Sequence, residues 1–243
     1  MNDIKIIYED QDLLILDKPS GITVNKADTT KDELTVQDFL EDKFKNHEAY
    51  LSADPESDFY KRAGFVHRID KETSGILVVA KNPESFVNLQ AQFKERKVNK
   101  TYVALAHGHI DISEGEINVP IERLPWNRKR FGVLAGGKEA VTYYKVIRKF
   151  EKPFTLLELN PKTGRTHQIR VHLKYFNHPI FGDELYAGRK TSREDRKILE
   201  RVFLHAQRIS FFHPKTGVRV EFESPLPYEL QSVLDYLDHQ PSR

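Results

Sequence analysis

The apolar run Ile76–Ala80 (ILVVA), entered from the pair Ser74-Gly75, is the feature that most constrains the fold. Five apolar residues behind a tight turn read as a buried strand. Just ahead of it, Gly64–Thr73 (GFVHRIDKET) crowds His67, Arg68, Asp70, Lys71, Glu72 and Thr73 into one short stretch. A carboxylate in such a turn has its position fixed by the packing of the strand behind it. That suits a reacting group, because a small misplacement lowers the rate steeply. The same residues also suit an ordinary polar turn, with Asp and Thr side chains satisfying nearby backbone N–H groups.

The 243 residues are 39% hydrophobic and 30% charged, on the polar side for a globular protein. No apolar run approaches the ~18 residues of a membrane-spanning helix. The N-terminus MNDIKIIYEDQD is acidic early and carries no signal core, so a cytoplasmic location is expected. Zero cysteines exclude disulfides, thiolate metal sites and cysteine nucleophiles. The net charge of +2 is uninformative, but its distribution is not. Ile121–Phe131 (IERLPWNRKRF) sets Arg123, Arg128, Lys129 and Arg130 among Trp126 and Phe131. Cations neutralise phosphates and aromatic faces stack on unpaired bases. A second basic window, Gly188–Arg201, is diluted by Glu194, Asp195 and Glu200 and reads as an exposed helix.

Taken in order, Ile4–Tyr8 and Leu13–Leu16 read as a hairpin, followed by a short strand Ile22–Val24. Thr35, with Asp38 three residues on, caps a helix bearing Val36, Phe39, Leu40 and Phe44. Glu48–Tyr60 reads as a surface loop. Asn82-Pro83 starts a helix with Phe86, Leu89 and Phe93 on one face. Thr101–Ala106, Ala140–Phe150 and Phe154–Asn160 are strands, the last two antiparallel neighbours. Thr166 is expected to cap a helix ending before His178-Pro179, and Ser192 with Asp195 to form another capping box. Leu204–Phe212 and Val218–Glu223 form a hairpin, and Pro227 opens a final helix with Leu230, Leu234 and Leu237. The expected architecture is α+β in one domain over residues 1–243, a mixed, mostly antiparallel sheet with helices packed on it.

Asn160–Tyr175 (NPKTGRTHQIRVHLKY) offers a turn, a helix start and the cluster Arg165, His167, Gln168, Arg170 and His172. Arg165, in the turn, is placed to reach phosphate. Arg170 lies beside Ile169, so its guanidinium is directed by the core and calls for a carboxylate partner. His167 and His172 are five apart rather than four, and no metal is expected. Phosphate-loop, dinucleotide-binding and serine-hydrolase motifs are absent. A glycosidase would need two carboxylates across one bond. Asp70 and Glu72 at i and i+2 fit weakly, only ~7 Å apart on an extended segment.

HRIDKETSGILVVA at His67–Ala80 resembles the catalytic motif of the RluA-type RNA pseudouridine synthases. Lys100–Gly108 (KTYVALAHG), Pro161–Leu173 followed by His178–Tyr186 (HPIFGDELY), and Leu204–Pro214 with Ser224–Pro227 resemble further family motifs in the family's order. The opening hairpin does the same, so the resemblance covers nearly the whole chain. It implies that a uridine in RNA has its N1–C1′ bond broken, the uracil turns, and C5 bonds to C1′, with no cofactor and no metal. By the same resemblance Asp70 is the essential carboxylate, ionised for its work, and Arg170 matches the arginine that pairs with it. Tyr102 matches the tyrosine packed on the base, and Arg68 the arginine beside the catalytic Asp that helps hold the flipped-out nucleotide's place. His67, Thr73, Arg165, His167, Gln168, Trp126, Arg128, Lys129 and Arg130 are expected to contact the RNA, either ribosomal or transfer RNA. The first hairpin begins at Ile4, leaving no room ahead of it for the S4-like domain of many relatives. Substrate selection is therefore expected from the catalytic domain itself, acting as a monomer. The alternative is a non-catalytic RNA-binding protein that keeps the fold.

Overall fold

The computed structural model describes residues 4–26 and 33–239. They fall into two compact units, one of residues 1–99 and 208–224, the other of residues 100–207 and 225–243.

The first unit is built on one exposed strand and two strands with almost no exposed surface. β1 (Lys5–Glu9) and β2 (Leu13–Lys18) form the expected hairpin. Ile22–Val24, expected as a strand, is irregular. Its carbonyls are already taken, Ile22's by the Lys18 ammonium and those of Thr23 and Val24 by the N–H groups opening α1 (Val36–Phe44). Thr35 and Asp38 form the reciprocal capping box of that helix. The 48–60 segment is not a loop. It holds two single-turn helices, α2 (Glu48–Leu51) and α3 (Asp58–Lys61), which bury Tyr50 and Phe59. Those two rings meet edge-on, and Phe59 continues onto Phe86. β3 (Ser74–Ala80) is buried at every residue and pairs antiparallel with β2, Leu16 opposite Leu77. A strand buried on both faces needs an unbroken apolar run rather than an alternating one, and 76–80 supplies it. α4 (Pro83–Lys94) follows, capped by the Asn82 side chain with Pro83 in its first turn.

The second unit carries β4 (Asn99–His107), β5 (Glu114–Asn118), the small pair β6 (Ile121–Arg123) and β7 (Phe131–Val133), β8 (Val141–Lys149) and β9 (Phe154–Pro161). The order β4-β9-β8-β5 is antiparallel throughout. α5 (Gln168–Tyr175) and α6 (Arg189–Asp195) come next. β10 (Leu204–Phe212) begins in the second unit and ends in the first, where it pairs with β11 (Arg219–Glu223). α7 (Tyr228–Asp238) closes the chain, burying Leu230, Val233, Leu234 and Leu237. These join Leu105, Leu157, Leu173, Phe181 and Phe203 in the core of the second unit. The architecture is α+β, with mostly antiparallel strands and packed helices, as expected.

Two expected caps are elsewhere. His167, not Thr166, is the residue before α5, and it adopts the left-handed region at φ 57°. Gly188 precedes α6, so Ser192 and Asp195 lie inside that helix with buried side chains.

Candidate active site

In the first unit, the Asp70 turn is held by backbone groups reached from the β2 end. The fully buried Lys18 ammonium donates to the carbonyls of Pro19, Ile22 and Lys71, at 2.8, 2.9 and 3.0 Å. The Gly21 N–H donates to the same Lys71 carbonyl, and Ser20 Oγ to that of Glu72. Thr73 N–H closes the turn on the Asp70 carbonyl at 3.1 Å. The two residues following Asp70 are thereby pinned by their carbonyls, and the Asp70 side chain is half-buried. Gly64 sets the approach to the turn. Its φ is +79°, and a Cβ there would stand 2.1 Å from the Ala80 carbonyl oxygen.

The neighbours of Asp70 divide by task. Arg68 is exposed. His67 accepts the Val78 N–H on Nε2 at 2.9 Å, and its ring stacks on Phe93 with centroids 4.8 Å apart. The proton of the neutral ring then sits on Nδ1, and His67 braces the strand. The Thr73 hydroxyl is buried without a hydrogen-bond partner among the described residues. That does not fit a turn whose Thr merely satisfies the backbone.

In the second unit, Tyr102 stands half-buried on β4 opposite Leu159. Arg170 is buried on α5, as expected from its place beside Ile169, and it has a carboxylate partner. Its Nε and Nη2 donate to the two oxygens of Asp183 at 2.8 and 2.9 Å, a bidentate pair out of contact with water. The Asp183 carboxylate also accepts the N–H groups of Leu185 and Tyr186. Gly182, at φ +75°, lets the turn pass within contact of the Arg201 carbonyl, where any Cβ would collide at 2.2 Å.

Tyr186 gathers the rest. Its hydroxyl lies 2.9 Å from His167 Nδ1 and accepts the Phe131 N–H at 3.0 Å. Over its ring lie the guanidinium carbons of Arg170 and Arg130, 5.1 and 5.4 Å from the centroid. Sequence reasoning passed over Asp183, Tyr186 and Lys18. The available signals were the Gly-Asp-x-x-Tyr run after His178-Pro179, and a lysine directly before Pro-Ser-Gly.

Gln168 is buried and turned into the fold. Its amide donates to the Val141 carbonyl and Thr142 Oγ1, and accepts from Thr163 Oγ1 and the Arg165 N–H. All its hydrogen-bonding capacity is used inside the fold, where it fixes the turn carrying Arg165. Arg165 is half-buried with Nε on the Glu139 carbonyl. His172 is a core histidine: Nδ1 accepts from Thr142 Oγ1 and Nε2–H donates to the Val119 carbonyl. Burial above all holds its ring neutral, its pKa pushed down to about 4. Trp126, Arg128 and Lys129 are exposed on the loop joining β6 to β7, Trp126 at 74%. Among the described residues, Asp10, Asp12 and His213 form a group able to hold a metal. Asp10 is already engaged: burial pushes its carboxyl up, but hydrogen bonds from Tyr8, His213 and the Leu13 and Asp12 N–H groups hold it at about 2.

Known proteins resemble this chain closely. The family described as RNA pseudouridylate synthase matches residues 12–175. An uncharacterised RNA pseudouridine synthase of Bacillus subtilis, YlyB, is 40% identical, over 97% of this chain and 73% of its own. The ribosomal large subunit pseudouridine synthase D of Pseudomonas aeruginosa is 37% identical, over 97% of this chain and 72% of its own. The solved structure of human RNA pseudouridylate synthase domain containing 1 superposes with a TM-score of 0.70 at 27% identity, covering 99% of this chain and 97% of that one. With this extent of identity behind the motifs at His67–Ala80 and Pro161–Tyr186, the chain belongs to the RNA pseudouridine synthases, isomerases that convert uridine to pseudouridine within RNA.

Proposed function

We propose that this protein isomerises specific uridines of ribosomal RNA, with Asp70 as the essential carboxylate, Tyr102 and Arg170 serving the same reaction, and no cofactor or metal. The clamp on the Lys71 and Glu72 carbonyls is the observation that carries this reading. It fixes the two residues that follow Asp70 and so holds the position from which its carboxylate is presented. Attack at C1′ and removal of a proton both require the ionised form. Breaking the N1–C1′ bond frees the uracil to turn, and bonding of C5 to C1′ releases the C5 hydrogen. Arg68, exposed two residues before Asp70, helps keep the flipped-out nucleotide's place in the RNA. Flipping takes a few kcal/mol in a duplex and less in a loop, so a deformable site is favoured.

The name of the Pseudomonas relative specifies the large ribosomal subunit, which favours ribosomal over transfer RNA. A monomer acting in the cytoplasm belongs to the same proposal. Among the described residues no helix is long and apolar enough to cross a membrane. Unmodified ribosomal and transfer RNA transcripts, incubated with the protein and digested to nucleosides, test the assignment by mass-resolved chromatography. Pseudouridine is expected from the ribosomal transcript. Its appearance in the transfer RNA alone would overturn the choice of substrate, and its absence from both would overturn the proposed reaction.

A further inference from the structure

The two basic windows, far apart in sequence, line one open cleft of the second unit. Asn127 and Arg130 come from the β6–β7 loop, and Arg189, Arg193, Arg196 and Lys197 from α6 and the turn after it. The cleft has a volume of about 730 Å³, and among the described residues Glu184 is the one carboxylate lining it. Glu194, just outside, pairs with Lys197 at 2.5 Å and reaches Arg193 at 3.7 Å, so it offsets only part of the charge. Arg196 donates to the carbonyl oxygens of Gly182 and Glu200, which fixes its guanidinium at the cleft. Arg130 has its Nε buried with no hydrogen-bond partner.

The cleft is tied to Arg170 within the second unit. Arg130 and Arg170 share the Tyr186 ring. Asp195, inside α6, accepts the Gly182 N–H at 2.9 Å, joining the helix to the turn that presents Asp183. The basic window of α6, which reads in sequence as a solvated helix, is therefore anchored rather than free.

We infer that this cleft binds the phosphodiester backbone of the substrate RNA, positioning the strand that leads to the reacting uridine. The inference rests on the reading that the substrate is RNA. A protein partner would want an apolar centre with aromatic anchors, whereas guanidinium and ammonium groups dominate this lining and Leu185 is its apolar member. Closely set cations in an open groove match a chain of phosphates.

The test is the salt dependence of binding between the full chain and a transcribed ribosomal RNA fragment. Arg189 and Arg193 are exposed, so the double variant Arg189→Gln/Arg193→Gln should keep the unfolding midpoint of the wild type. Its plot of log affinity against log salt should flatten by about 1.4 to 1.8, at about 0.7 to 0.9 for each phosphate contact removed. Lys145→Gln/Lys149→Gln, exposed on β8 outside the cleft, should leave the slope unaltered. Parallel plots for wild type and the arginine variant would overturn the inference, as would an equal flattening by the lysine variant. Tritium release from C5-labelled RNA, measured beside it, separates the two readings. Flattening without release removes the proposed reaction and leaves the cleft, while release with parallel plots removes the cleft and leaves the reaction.

Discussion

Asp183 serves two structures with one carboxylate. It holds Arg170 in a bidentate pair and accepts two backbone N–H groups of the turn leading to Tyr186. Both side chains are buried, and breaking such a pair from one side typically costs about 3–5 kcal/mol. Asp183→Asn, of almost equal size, should lower unfolding free energy by at least about 3 kcal/mol in denaturant titration. A loss below about 1 kcal/mol would mean that the pair does not support the fold. The need for a carboxylate near Arg170 was legible in the sequence, because a charge directed by Ile169 has to be compensated. The resemblance pointed to Asp70 for that role, and the Asp183 pair was not foreseen, since Asp183 reaches Arg170 only through the fold of the 176–183 connection. Lys18 shows the same limit. Lys-Pro-Ser-Gly reads as a turn, and nothing local reveals that the ammonium serves a carbonyl 53 positions away.

At the level of elements, periodic segments were legible and special conformations were not. α1, α4 and α7 stand where their apolar spacing and caps put them. α5 begins one residue late because His167 occupies the left-handed region, held there by the Tyr186 hydroxyl and ring, and no capping rule foresees that. α2 and α3 are each four residues long, too short to show a period, so Tyr50 and Phe59 were invisible as core.

α5 also sets a pH response. The His172 ring stays neutral in the folded chain down to about pH 4, while in the unfolded chain it takes up a proton near about 6.5. Between those values the unfolded state binds more protons, so stability falls as the pH drops. His172 should account for about 2 kcal/mol of loss between pH 7.5 and 5, measured by denaturant unfolding. His47, lowered chiefly by burial, adds in the same direction. In His172→Gln the pH dependence should shrink by most of that amount, and an unaltered slope would contradict the assignment of His172 as a buried neutral ring.

For the whole molecule, the motif at His67–Ala80 and the run Pro161–Tyr186 lie in different compact units. Fold class was legible from the apolar runs that became β2, β3, β4, β8 and β9, and the family from the motif at His67–Ala80 and its companions in the family's order. The joining of two basic windows in one cleft was hidden, because it depends on Asp195 turning inward from a helix that looks amphiphilic only in part.

The central claim is that Asp70 is the essential carboxylate. RNA transcribed with tritium at uracil C5 loses its label as C5 bonds to the ribose, so released tritium counts turnovers whichever uridine is used. Asp70→Asn should bind RNA as the wild type does, and its release should fall by at least about a thousandfold. Release by the variant within about tenfold of the wild type would contradict the account, whatever RNA the protein serves.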